Sequence, residues 1–156
     1  MHWLTSLLIL LPCCYALPQR NHSPKYVRRA FTKFHIVPDV IPSFNPVATL
    51  DVIFKDQSTG KHVHVAPGKN LTVKQTETIP QFLLKTENTS LFDGPFVIAL
   101  VDPDAPKPQD PKNSPFRHML GGDFRVKQDD GKLVNGSVAL TEFAPPSPPD
   151  GSDPHR

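Results

Sequence analysis

Proline punctuates this chain from end to end. Nineteen of its 156 residues are proline, and each one removes a backbone donor and obstructs the continuation of a helix. Long helices are disfavoured, and the stretches between prolines read as short extended segments joined by turns. At 38% hydrophobic the chain is globular rather than disordered. Its length suits one domain with a real core. Seventeen basic against fifteen acidic residues leave a formal charge of +2. That balance, with no basic run, argues against nucleic acid as a partner.

The first residues read differently. Met1–Ala16 carries no Lys, Arg, Asp or Glu, and Trp3–Leu11 is mostly apolar. Cys14-Tyr15-Ala16 is a small-x-small cleavage site. This is the pattern of a secretory signal with the cut after Ala16, and it is too short for a membrane-spanning helix. Both cysteines, Cys13 and Cys14, lie inside it, so the secreted chain would have no disulfide and no thiol chemistry. Asn21-His22-Ser23, Asn70-Leu71-Thr72, Asn88-Thr89-Ser90 and Asn135-Gly136-Ser137 are N-glycosylation sequons. The boundaries expected are a signal over 1–16, a leader and helix start over 17–29, and one domain over 30–156.

Within the domain, Lys25–His35 places Val27, Ala30, Phe31 and Phe34 near helical spacing, with Arg28, Arg29 and Lys33 outside. Pro38 is expected to end that helix. Ala48–Phe54 alternates, with Leu50, Val52 and Phe54 on one face. His62–Val65 reads as a short strand, Leu71–Glu77 as another extended piece, and Gln81–Thr86 as a strand. Phe96–Val101 is almost continuously apolar, which predicts burial on both faces. Arg117–Val126 is expected to return as a strand broken at Gly121-Gly122. Asp129-Asp130-Gly131-Lys132 is a hairpin signal. Leu133–Phe143 alternates weakly, and Ala144–Pro154 is a Pro/Gly/Ser loop. The sum is an all-β core with minor helix.

Chemistry concentrates where that apolar strand meets Asp102-Pro103-Asp104-Ala105-Pro106. Two prolines stiffen the turn, and a rigid turn at a strand end holds a carboxylate in place. His118 and His155 arrive from distant parts of the chain. A carboxylate accepting from an imidazole N–H fixes its tautomer, which leaves the other nitrogen as a donor toward a phosphate or carboxylate. Two histidines and two aspartates also have the makings of a metal site, but their spacing matches no tight ligand motif. No mature cysteine and no G-x-S-x-G elbow supports nucleophilic catalysis. No cofactor motif is present.

These motifs resemble the phosphatidylethanolamine-binding protein family. Asp102–Pro106 is similar to its D-P-D-A-P, Arg117-His118 to its W/R-H-x-L, and Pro148-Pro149-Asp150-Gly151 with Pro154-His155-Arg156 to its G-x-P-P-x-G-x-x-x-H-R-Y. Ile36–Ile41, Leu50–Phe54 and Thr78-Ile79-Pro80 add weaker agreement. The resemblance implies a mainly β (α+β) fold, with a large antiparallel sheet packed on a smaller one and short peripheral helices. It implies a non-enzymatic, lipid-binding type of site for phosphate or a phospholipid headgroup, lined by Asp102, Asp104, His118, Pro149 and His155, with no metal. It also implies a possible second role as an inhibitor of a serine protease or carboxypeptidase. Ser147 stands where that family often has glycine. The Tyr after His-Arg, the next strand and the C-terminal helix have no counterpart here, which leaves open a truncated paralogue without function.

Overall fold

A computed structural model describes residues 22–127 and 130–156. The expected signal, its cleavage after Ala16, the residues up to Asn21 and one residue of the hairpin turn, Asp129, lie outside them.

Ser23 opens the first helix, α1 (Pro24–Lys33), with its hydroxyl accepting from the Tyr26 N–H at 3.3 Å. Pro24 occupies the first turn, where a missing N–H costs nothing. Ala30 is buried while Arg28, Arg29 and Lys33 face solvent, as the periodicity requires. Phe31 stacks on Phe44, ring centroids 4.2 Å apart. The helix ends before Pro38, which sits instead in a separate short turn, α2 (Ile36–Asp39), reached through His35 at φ 56°.

Six strands follow: β1 (Thr49–Lys55), β2 (His62–His64), β3 (Gln81–Lys85), β4 (Phe96–Asp102), β5 (Phe116–Val126) and β6 (Lys132–Asn135). All pairings are antiparallel, and the sheet order is β2-β1-β3-β6-β5-β4. The architecture is mostly antiparallel sheet with a few short helices. Among the described residues it is a single six-stranded sheet.

Phe82, Leu84, Ile98, Met119, Phe124 and Leu133 form the buried cluster, with Phe82 and Phe124 meeting edge to face at 6.0 Å. Met119, at 2% exposure, is the most enclosed. A cavity of about 240 Å³ opens beside this cluster, between Ile79, Phe82, Phe124 and Glu142.

Several expectations give way. Leu50 is exposed, whereas the consecutive Ile53 and Phe54 are both buried, so the expected alternation does not hold along β1. Leu71–Glu77 is not extended: Val73–Gln75 is a 3-10 turn held by a capping box between Thr72 and Gln75. Phe96–Val101 is not buried on both faces. It forms the edge strand β4, whose outer face leaves Val97 72% exposed. Residues 133–143 supply only the last three residues of β6 and one isolated bridge, Leu120 to Thr141. The diglycine does not end β5, but it does bulge it.

The register of β4 on β5 defines two bulges. Ile98 pairs with Gly121 and Phe96 with Phe124, so three steps on β5 match two on β4. Asp123, at φ 51°, takes up part of that extra residue. The second shift falls at the site. Leu100 pairs with Met119 and Val101 with Arg117, which makes His118 the additional residue.

Candidate functional site

Asp102 is the last residue of β4, and its side chain turns back on its own turn. Oδ1 accepts the Asp104 N–H at 2.7 Å. This local hydrogen bond fixes the first carboxylate and sends the second elsewhere. Ala105-Pro106 is cis. Asp102, Pro103, Asp104 and Ala105 are all buried.

The bulge then delivers His118. An extra residue breaks the two-residue alternation, and His118 and Met119 are both buried although they are consecutive. Met119 enters the core, while the His118 ring approaches the carboxylate, Nε2 lying 3.8 Å from Asp102 Oδ2. His118 Nδ1 donates to the Ala144 carbonyl at 2.8 Å, and the Ala144 N–H donates back to the His118 carbonyl at 2.8 Å. A carbonyl only accepts, so this pair fixes the proton on Nδ1. Phe116 packs against the ring edge at 4.8 Å.

His155 reaches the same carboxylate. Its Nδ1 lies 2.6 Å from Asp102 Oδ2, and its Nε2 lies 2.8 Å from Ser152 Oγ. Ser152 is set by a turn in which its N–H donates to the Pro149 carbonyl at 3.1 Å. Pro149 itself is exposed, and its visible contribution is to close that turn.

Asp104 was expected to help orient an imidazole. It binds Arg156 instead. Its Oδ2 accepts the Arg156 backbone N–H at 2.7 Å and Nε at 3.0 Å, and Oδ1 accepts a terminal guanidinium nitrogen at 2.8 Å. Burial pushes the Asp104 pKa up, but the Arg156 hydrogen bonds and charge together hold it below 3.8. The same partner raises the already high Arg156 pKa. The other end of the guanidinium reaches the carbonyls of Phe34 and His35 at 3.2 and 3.3 Å and Asp39 Oδ2 at 2.8 Å. Arg156 therefore ties the α1–α2 junction to the acidic turn.

Of the five residues singled out in the sequence, Asp102, His118 and His155 converge on one carboxylate oxygen. Asp104 supports the turn from behind, and Pro149 lies outside. Sequence reasoning gave no role to Ser152, Arg156 or Asp39. Ser152 stands three residues before His155 in a proline-bounded loop, a spacing that was there to be read. Nothing local marks Asp39. Among the described residues, no group of three or more His, Cys, Asp or Glu side chains is placed to hold a metal ion. No helix among them is long and apolar enough to cross a membrane.

The chain is thus mostly antiparallel sheet, with an Asp/His cluster at the end of its edge strand. The family model for phosphatidylethanolamine-binding protein matches residues 59–156, more than half of the chain, and the chain belongs to that family. It is 28% identical over 155 residues to the carboxypeptidase Y inhibitor of Saccharomyces cerevisiae, covering 81% of this chain and 68% of that protein. The crystal structure of carboxypeptidase Y inhibitor complexed with the cognate proteinase superposes with a TM-score of 0.72 at 27% identity, over 87% of this chain and 70% of that one. Phosphatidylethanolamine-binding proteins from Plasmodium falciparum and Plasmodium vivax share the fold, with TM-scores of 0.57 and 0.59 at 24% and 22% identity. This chain spans 65% of each of them.

Proposed function

We propose that the chain is a secreted, non-enzymatic binding protein for phosphate-bearing anions or phospholipid headgroups. The observation that carries this reading is the sharing of Asp102 Oδ2 between two imidazoles, at 2.6 Å from His155 and 3.8 Å from His118. A carboxylate between two rings supports both as N–H donors when they are protonated. An anion oxygen taking the place of Ser152 Oγ at His155 Nε2 completes the set, with the Ser152 hydroxyl free to donate beside it. Isothermal titration of the folded chain with phosphate and with phosphorylethanolamine tests the reading. A null titration by folded protein removes it.

A second reading, inhibition of a serine protease or carboxypeptidase, draws on the 28% identity to carboxypeptidase Y inhibitor and on that protein's structure with its proteinase. The polar segment Leu17–Pro24 and the loop Lys107–Pro115 are the surfaces proposed for contact. Inhibition of a serine carboxypeptidase that survives His118→Ala favours such a surface over the Asp/His pocket. Export with cleavage after Ala16 belongs to the same proposal. N-terminal sequencing of protein from a secreting host checks it.

A further inference from the structure

The Asp102 carboxylate of the proposed binding site is also one end of a hydrogen-bonded chain. Ser152 Oγ lies 2.8 Å from His155 Nε2, and His155 Nδ1 lies 2.6 Å from Asp102 Oδ2. Hydroxyl, imidazole and carboxylate stand in series, one on each ring nitrogen. The carboxylate only accepts, so Nδ1 carries a proton, and in the neutral ring Nε2 is an acceptor facing the serine hydroxyl. We infer that Ser152 is a nucleophile that accepts an acyl group from an activated carboxylic ester. His155 is its general base, and Asp102 is the positioning residue that sets the ring.

Burial, access and backbone geometry support the assignment. Asp102 is buried, and the His155 side chain is 17% exposed, so the base and its partner are largely shielded from water. Ser152 is half-buried, leaving its oxygen within reach of a small ester. Both separations fall inside the hydrogen-bond reach required of a nucleophile and its base. Among the described residues, the N–H of Asp153, immediately after the serine, has no acceptor. A backbone N–H in that position is what stabilises the oxyanion in serine hydrolases with a nucleophile elbow. The Ser152 hydroxyl also lies 3.0 Å from the Asp153 carbonyl. A serine has one proton, and turning it toward His155 is the orientation that arms the oxygen.

In the transfer, Ser152 Oγ bonds to the ester carbonyl carbon while its proton passes to His155 Nε2. The ester C–O bond then breaks, and the leaving alkoxide takes the proton from Nε2. The products are acyl-Ser152 and the free alcohol, with no change of oxidation state. The reaction ends there, so one transfer per chain is compatible with a binding role.

The test is labelling of the full chain with p-nitrophenyl acetate and, separately, with a fluorophosphonate, followed by intact-mass measurement and peptide mapping. One group per chain on Ser152 is expected, with one equivalent of p-nitrophenol released in the first case. Ser152→Ala should remove that label, and His155→Gln should slow it about a hundredfold, the usual contribution of a general base. Labelling of Ser152 no faster than of the exposed Ser58 and Ser137 overturns the inference. So does an unchanged rate in a His155→Gln protein that melts like the parent. If that variant fails to fold, the comparison of Ser152 with Ser58 and Ser137 in the parent still decides. Phosphate binding without Ser152 labelling overturns this inference and leaves the binding reading standing.

Discussion

One oxygen of Asp102 joins His155 to His118: Oδ2 lies 2.6 Å from Nδ1 of the first ring and 3.8 Å from Nε2 of the second. The two histidines have no other direct link, so the carboxylate between them holds the site together. Asp102→Asn removes the charge and keeps the shape. It also replaces one acceptor oxygen by an amide and so disturbs either the His155 hydrogen bond or the Asp104 N–H bond. Ligand-induced elevation of the melting temperature is expected in the parent, because a ligand that binds only the native state must stabilise it. In Asp102→Asn that elevation should vanish while a cooperative melt persists. An equal elevation in both proteins would place the ligand elsewhere.

Asp104 and Arg156 set an acid limit on stability. The folded pKa of Asp104 is depressed, so the unfolded chain binds its proton more readily than the native one. The stabilisation is therefore complete above the unfolded value of about 3.9 and is lost as the pH falls through the lower folded value. Asp104→Asn, which strips the buried partner from a partly exposed guanidinium, should cost about 1–3 kcal/mol near neutral pH. It should also flatten the acid side of the curve of melting temperature against pH. An acid limb unchanged in the variant would assign that sensitivity to other carboxylates.

The edge strand β4 carries no charge between Phe96 and Val101, and its outer face presents Val97, Ala99 and Val101. An uncharged, apolar edge invites pairing with another chain. Concentration-dependent self-association is expected in sedimentation velocity. Val97→Lys should reduce it and change monomer stability by no more than about 0.5 kcal/mol. Association that is indifferent to Val97→Lys would point to another surface.

Met119 adjoins His118 and is the most enclosed apolar residue. Met119→Ala should cost about 2–5 kcal/mol through lost contacts and a residual cavity. Since the bulge sets both residues, ligand binding should weaken in parallel with stability. Chemical denaturation and titration of the same preparation check this together.

Gly131, at φ 83°, closes the β5–β6 hairpin, and a Cβ there would collide with the Leu84 carbonyl oxygen, which is adjacent to the hydrogen bond from Leu84 N–H to Gly131 O. Gly131→Ala should destabilise by more than about 1 kcal/mol, because both the backbone angle and the space are wrong for a side chain. A neutral outcome in thermal denaturation would mean the hairpin shifts register to accommodate it.

What the sequence by itself determined is local in origin. The prolines limited the helices, the period in Lys25–His35 drew α1, and Asp130-Gly131 drew the hairpin. The D-P-D-A-P turn marked the site because prolines and short-range carboxylate hydrogen bonds act over a few residues. Its partners His118 and His155 were legible as residue types able to pair with a carboxylate, and the resemblance reinforced them, but nothing in their own neighbourhoods shows that they meet Asp102.

Tertiary structure alone decided the rest. The bulge that aims His118 is a mismatch between two strands, β4 and β5, and neither strand encodes it separately. Asp104 left the histidines because Arg156, 52 residues later, offers a bidentate cation and a backbone N–H in the same place. An apolar run such as Phe96–Val101 states only that it can be buried. Whether both of its faces are covered depends on its rank in the sheet, and the sheet order made it an edge.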